Sequence, residues 1–431
     1  MRVAIYTLGC KVNQYETQAM EQELTARGHE LVDFAEPADV YVVNSCSVTA
    51  VSDKKSRQML RRARKQNPNA IVAVCGCYAQ THTEQAKEWK PDVLAGTGNR
   101  AGFLDLLEKS YAERQPLVQV DDPMQRRSFE ILPPGGMSTR TRAMMKVEDG
   151  CVNFCSYCII PYARGPVRSL PLEAAKRQAR QLAEEGYREI VLTGIEISSY
   201  GHDFQDGTAL IDLLEAVAQS APAVRLRLGS LEPRTVTEEF CRRASALETL
   251  CPHFHLSLQS GCDATLRRMN RKYDTERFLQ SVELLREHFP MPAITTDLIV
   301  GFPEETEAEF AQTLDFIRRC AFAEMHIFPY SIRPDTPAAK RPQVEGAVKD
   351  ERAARAAEAA QAMHRSYLQA CVGEEFAVLF EQERDGGFVG HAPNYMPVWA
   401  KGENLHNRLC TVRIAGVSGD GLRGEITAYL D

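Results

Sequence analysis

The chain has 431 residues, 44% of them hydrophobic and 25% charged, which is too long for one ordinary core and suits a globular protein of two or three domains. No window approaches the roughly 18 apolar residues of a membrane span, the N-terminus lacks a signal peptide's apolar core, and an odd count of 13 cysteines argues against a disulfide framework and for metal ligation in the cytoplasm. The net charge of −7 is a mild argument against nucleic acid as a partner, although a local basic surface can coexist with an acidic total.

Residues 1–112 alternate strand and helix. Val3–Tyr6, Val40–Val43, Ile71–Val74 and Val93–Ala95 are short apolar runs, with helices predicted over Gln14–Arg27, Ser52–Gln66 and Thr81–Lys90. That pattern predicts a doubly wound parallel sheet. Cys10, Cys46 and Cys77 each fall just past a strand, where open α/β sheets bind ligands. They form a candidate three-thiolate site, the alternative being small buried hydrophobes. Cys75 offers a surplus thiol; alternation makes it the last strand residue and Cys77 the loop ligand. The Ser52–Gln66 helix carries Lys54, Lys55, Arg57, Arg61, Arg62, Arg64 and Lys65. Seven cations there suit a phosphate backbone, against the plainer reading of a solvated face.

Residues 113–142 read as a linker, with Asp121-Asp-Pro and Pro133-Pro-Gly-Gly136 hostile to regular structure. Residues 143–348 hold six strand–helix units, with strands near Ala143–Val147, Glu189–Leu192, Val224–Leu228, Phe254–Leu258, Ala293–Val300 and Ala323–Phe328. Parallel units of this kind curl into a full or partial barrel with its active residues at the strands' C-terminal ends. Just past the first strand stands Gly150-Cys-Val-Asn-Phe-Cys-Ser-Tyr-Cys-Ile-Ile-Pro161. Its three thiols, Cys151, Cys155 and Cys158, are one fewer than a closed site needs, so an iron–sulfur cluster with one open iron fits better than structural zinc.

Other candidates gather at the same barrel end. Tyr157 can pack on a cluster or its ligand, or fill a loop. Glu196, in the turn after the second strand, can accept a ligand ammonium or be a solvated carboxylate. His255, Ser257 and Gln259 share one face of the fourth strand, and inward polar groups need partners. Gly301 ends the fifth strand in a turn that opens a helix. Arg267-Arg-Met-Asn-Arg-Lys272 is a second basic cluster. Residues 349–370 are an Ala-rich connecting helix, and 371–431 are short strands of a small antiparallel β-barrel. Residues 372–431 carry five Lys and Arg against nine Asp and Glu, which does not favour RNA.

The three-thiol spacing resembles the signature of radical S-adenosylmethionine (SAM) enzymes. The cysteine-bearing loops in this order resemble the methylthiotransferases of that superfamily over the whole chain. Thr7-Leu-Gly-Cys-Lys-Val-Asn-Gln-Tyr-Glu-Thr17, Asn44-Ser-Cys-Ser-Val-Thr49 and Gly76-Cys-Tyr-Ala-Gln80 carry the likeness. The Lys-Val-Asn form and Tyr330-Ser-Ile-Arg-Pro-Asp-Thr-Pro-Ala338 resemble the branch acting on N6-threonylcarbamoyladenosine beside the tRNA anticodon. The isopentenyladenosine branch usually has Gly-Cys-Gln-Met-Asn and the ribosomal-protein branch Gly-Cys-Pro-Lys-Asn. Departures are Ser45 and Ser47 in place of commoner threonines, and the extra Cys75.

The resemblance implies an N-terminal methylthiotransferase domain, a radical SAM partial (β/α)6 barrel and a C-terminal TRAM barrel. It implies two [4Fe-4S] clusters: a SAM-cleaving one on Cys151, Cys155 and Cys158, and an auxiliary one on Cys10, Cys46 and Cys77 that carries the sulfur. Tyr157, Glu196, Ser257, Gln259 and Gly301 are the candidates for SAM contact. The partners implied are tRNA, an electron donor and a sulfur source, with no membrane. Methylthiolation of isopentenyladenosine or of a ribosomal protein, and a non-catalytic cluster-containing RNA-binding protein, are the alternatives.

Overall fold

The computed structural model describes residues 1–47, 50–136 and 141–430. Val48 and Thr49 of the second family segment lie outside them. The N-terminal sheet has six parallel strands in the order Glu30–Leu31, Arg2–Thr7, Val40–Ser45, Ile71–Gly76, Val93–Ala95, Leu117–Gln119. Val40–Ser45 and Ile71–Gly76 are buried throughout, because helices cover both faces; that is why those strands read as continuous apolar runs. The strand order reverses between Arg2–Thr7 and Val40–Ser45, the switch point at which such sheets open a crevice for ligands.

Local structure departs from the sequence reading in several places. The helix expected over Thr81–Lys90 is two short helices, Cys77–Thr81 and Thr83–Lys87, broken at His82. A helix at Arg100–Glu113 and the edge strand Leu117–Gln119 were not anticipated, and the strand lies within the stretch read as a linker. The first helix runs Lys11–Ala26, so it starts immediately after Cys10.

The central domain is an open arc of six parallel strands in chain order: Arg142–Lys146, Glu189–Thr193, Arg225–Leu228 continued by Ser230–Leu231, His253–Gln259, Ala293–Val300 and Glu324–Pro329. The third strand is interrupted at Gly229, which divides the arc into sheets of three and four strands. Outward residues such as Ile190, Leu192, Leu226, Leu256 and Leu298 pack beneath the surrounding helices. Inward positions are largely polar. The helix Lys11–Ala26 lies against Arg142–Lys146, so the N-terminal domain flanks the open side of the arc.

The helix Gly346–Ala370 packs on the sixth strand and leads to a closed barrel of Glu375–Arg384, Gly387–His391, Pro397–Ala400, Gly421–Tyr429 and Leu409–Ser418. Four of its pairings are antiparallel, and the fifth, Pro397–Ala400 with Gly421–Tyr429, is parallel. Leu368 of the helix and Cys371 at its C-terminal cap, with Ala293 and Ala323 of the central domain, join this barrel's core. It docks on the N-terminal ends of the arc's strands. Arg225 donates to Ala377 O at 2.7 Å and Arg227 to Pro393 O at 2.8 Å.

Candidate active site

Three thiols meet at the carboxyl edge of the N-terminal sheet. Cys10 caps the helix Lys11–Ala26, Cys46 directly follows Val40–Ser45, and Cys77 opens the helix Cys77–Thr81. Gly9 has a φ of +102°, and a Cβ there would stand 2.8 Å from Cys46 Sγ, so only glycine lets these two loops approach so closely. Asn13 ties the loops together. Its Nδ2 donates to Leu8 O at 2.8 Å and Ser45 O at 3.1 Å, and its Oδ1 lies 4.0 Å from Cys77 Sγ. Burial pushes the Cys77 thiol up to about 12; Arg164 opposes the rise, and Cys10 and Cys46 add to it. Cys75 packs away from this edge, in the apolar layer with Val42, Phe103 and Leu104.

Among the described residues no three His, Cys, Asp or Glu side chains converge closely enough for a single metal ion. A cluster of several irons spreads its thiolates over a wider frame, and thiolates are its natural donors. The chemistry of the donor set therefore fits such a cluster.

The second thiol loop follows Arg142–Lys146. Gly150, at φ +97°, passes so close to Pro166 that a Cβ would stand 2.0 Å from its carbonyl oxygen. The Cys151 amide donates to Gly165 O at 3.0 Å, and the Cys158 amide to Cys155 O at 2.9 Å. Ser156 anchors the middle of the loop through its amide on Met269 O at 2.9 Å and its hydroxyl on Arg268 O at 2.8 Å. Arg271 donates to Cys155 Sγ at 3.3 Å and stacks on Tyr273, 4.8 Å from the ring centre. A guanidinium there is placed to hold a thiolate. Burial raises the Cys151 thiol, and raises Cys158 to about 12. Three thiols with a cation beside them again suit an iron–sulfur cluster. In the second basic cluster, Arg268 is paired with Glu309 at 2.7 Å.

Glu196 stands beside this loop. Asn153 Nδ2 is 3.4 Å from its Oε2, and both residues line a cleft of about 590 Å³ shared with Glu232 and Tyr200. Burial raises the Glu196 carboxyl to about 7, with Arg271 opposing the rise and Glu232 adding to it. His255, Ser257 and Gln259 share the half-buried inner face of their strand, as the alternation predicted. Tyr157 packs edge-on against Phe302, with ring centres 6.3 Å apart. Gly301 is placed differently from expectation. Its amide donates to Glu305 at 2.7 Å, and the Lys349 side chain covers it. The turn therefore secures the connecting helix instead of facing the cleft.

A buried ionic web joins the two thiol sites, and the sequence reading missed it. Glu16 pairs with Arg100 at 2.6 Å, with Lys146 at 2.9 Å and with Arg164. Arg164 also donates to Asn13 at 2.7 Å, while Asp149 pairs with Lys146 at 2.8 Å and Arg168 at 3.2 Å. Glu16, Arg100 and Arg164 are at most 1% exposed. The three cations hold the Glu16 carboxyl well below its ordinary range, against the cost of its burial. Asn13 and Glu16 both lie inside the Thr7–Thr17 segment, which was the available signal.

The basic helix spans Ala50–Gln66. Lys54, Lys55, Arg57, Arg61, Arg62 and Lys65 are exposed and form no ion pair among the described residues. Arg64 belongs elsewhere. It pairs with Asp92 at 2.9 Å and donates to Lys90 O at 3.0 Å. Asp53, on the same helix, pairs with Arg333 at 2.9 Å, which fixes the basic face beside the Tyr330–Ala338 segment.

A model of the radical SAM superfamily matches residues 145–317, and one described as uncharacterized protein family UPF0004 matches residues 2–96. The chain is 41% identical to threonylcarbamoyladenosine tRNA methylthiotransferase MtaB of Bacillus subtilis, over 96% of this chain and 93% of that one. It is 37% identical to the protein of the same name in Thermotoga maritima, over 97% and 96%. It is 34% identical to tRNA-2-methylthio-N(6)-dimethylallyladenosine synthase of Cereibacter sphaeroides, over 99% and 96%. The solved structure of the radical SAM methyltransferase TsrM from Kitasatospora setae superposes with a TM-score of 0.58 over 89% of this chain and 79% of that one, at 14% identity. An open six-stranded arc with a three-thiol loop after its first strand defines a radical SAM protein, which uses a [4Fe-4S] cluster and SAM. Within that class the chain belongs to the methylthiotransferase family that these relatives represent.

Proposed function

We propose that the protein adds a methylthio group to C2 of N6-threonylcarbamoyladenosine beside the anticodon of tRNA. The observation that carries this reading is the pairing of two three-thiol edges across the Glu16–Arg164 web, in a chain 41% identical to a relative named for that reaction. Cys151, Cys155 and Cys158 hold the SAM-cleaving cluster, and Cys10, Cys46 and Cys77 hold a second [4Fe-4S] cluster. When bound, these groups supply the electron that cleaves SAM, the radical chemistry an aromatic C–H carbon requires, and the sulfur to be inserted.

The chain's own residues bind and orient. Arg271 steadies the thiolate of Cys155, and Glu196 accepts the ammonium of SAM. Ser257 and Gln259 offer polar contacts from the inner wall, and Tyr157 closes the loop side. Lys54, Lys55, Arg57, Arg61, Arg62 and Lys65 take tRNA phosphates. The target base must leave its stack to reach the arc, and the web around Glu16 keeps the two edges facing each other. The small C-terminal barrel reads as a TRAM domain that adds RNA contact despite its acidic balance. This reaction also requires an electron donor and a sulfur source, and its tRNA substrate puts it in the cytoplasm. No helix among the described residues is long and apolar enough to cross a membrane.

Mass spectrometry of nucleosides from bulk tRNA, with and without the gene, tests the reading. Loss of the 2-methylthio-threonylcarbamoyl nucleoside with accumulation of its unthiolated precursor is the expected result. Loss of the dimethylallyl derivative instead would move the protein to the sister reaction, and an unchanged profile would remove tRNA as the substrate.

A further inference from the structure

A cavity of about 390 Å³ lies where all three domains meet. Lys11 and Gln14 from the first helix, Arg142 and Arg227 from the arc, and Glu381 and Tyr395 from the C-terminal barrel line it. That volume suits one small ligand group. Its charges do not balance. Arg142 pairs with Glu381 at 3.1 Å, while Arg225 and Arg227 both pair with Glu189 at 2.7 Å. Tyr395 is sandwiched beneath two guanidinium groups, 5.3 Å from Arg142 and 4.7 Å from Arg227. Lys11 has no hydrogen bond or ion pair among the described residues. With Lys11 included, four cations face two carboxylates, and the surplus calls for an anion.

The substrate class proposed above offers one. Threonylcarbamoyladenosine carries a free threonine carboxylate on the group attached at N6, whereas a dimethylallyl group is uncharged and apolar. We propose that Lys11, with Arg142 beside it, binds the threonine carboxylate in this cavity and so selects threonylcarbamoyladenosine over adenosines with neutral N6 groups. Gln14 and Gln382, whose side chains have no hydrogen bonds among the described residues, face the same space and take the carbamoyl and hydroxyl groups. Because Lys11 directly follows Cys10, an anion held there keeps the modified base beside that thiol edge. The inference rests on the tRNA reading and deepens it.

The test uses the full-length, iron-loaded protein and anticodon stem-loop RNAs identical except at one adenosine. That position bears threonylcarbamoyladenosine, the same group with its carboxylate converted to a primary amide, or N6-dimethylallyladenosine. Wild-type protein should bind the carboxylate form about tenfold more tightly than the amide. Lys11→Gln should erase that ratio, and Lys11→Arg should retain most of it. A ratio measured within one protein sample is insensitive to the fraction folded, and unchanged iron content shows that the Cys10 edge is intact. Wild-type indifference to the amide, or a ratio that survives Lys11→Gln, would overturn the site alone. Methylthiolation of only the dimethylallyl RNA by wild-type protein would overturn the parent reading, and the site with it.

Discussion

Arg164, six residues past Cys158, reaches out of the central domain to donate to Asn13 Oδ1 at 2.7 Å, and the same oxygen lies 4.0 Å from Cys77 Sγ. One guanidinium thus spans the seam between the two thiol sites. The Glu16 carboxylate behind it makes the contact tenable, because a buried guanidinium without a partner is costly.

Glu16→Gln should therefore lower stability by about 3–5 kcal/mol, the range found when one member of a buried ionic group is removed. Thermal unfolding of the iron-free protein would read this as a clear drop in midpoint. A shift of less than a degree would mean that Asp149 satisfies Lys146 and Arg164, and that Gly96 O suffices for Arg100.

The Glu196 carboxyl, raised to about 7 from an ordinary 4.5 by burial, lies near Arg271 and Glu232, and its backbone amide donates to Glu148 at 2.6 Å. A raised carboxyl favours the folded state while protonated. Its contribution is present below about pH 4.5 and is lost as pH rises through about 7. SAM affinity should run the other way, rising across that interval as the carboxylate forms to receive the ammonium. Glu196→Gln should flatten both profiles. A wild-type affinity that does not change with pH would remove Glu196 from the SAM site.

The two thiol sets should separate by activity. Cys151→Ala should abolish 5′-deoxyadenosine formation. Cys46→Ala should leave it intact while stopping methylthiolation, with iron falling from about eight to about four per chain. Equal loss of both activities in Cys46→Ala would contradict the division of labour.

Replacing Arg57, Arg61 and Arg62 together with Gln should reduce the slope of log affinity for tRNA against log salt by roughly two to three. Arg64→Gln, which breaks the bond to Asp92, should cost stability and leave the slope nearly unchanged. An unaltered slope in the triple variant would place the tRNA on another face.

The strands that carry the cysteines were legible because they are buried on both faces and read as unbroken apolar runs. The helix Arg100–Glu113 was not. It begins after Gly96-Thr-Gly98, contains Gly102, and is capped by Asn99 in a left-handed conformation at φ +54°, so its start looks like a turn. The ionic web was hidden for a different reason. Glu16 finds Arg100 84 residues away and Arg164 148 residues away, and a helical carboxylate with no local partner reads as solvated. Arg64 and its neighbours look alike in sequence, and only the proximity of Asp92 sets it apart. Gly301 sits in the turn that the pattern implied, but Glu305 claims its amide.

The cavity at Lys11 takes its walls from residues 11 to 395. During synthesis every cysteine of the two thiol sites emerges from the ribosome before Glu381 and Tyr395 exist. A nascent or truncated chain could therefore collect iron while still lacking the floor of this chamber. Recognition of the N6 group therefore waits until Tyr395 has been made, well after both sets of thiols.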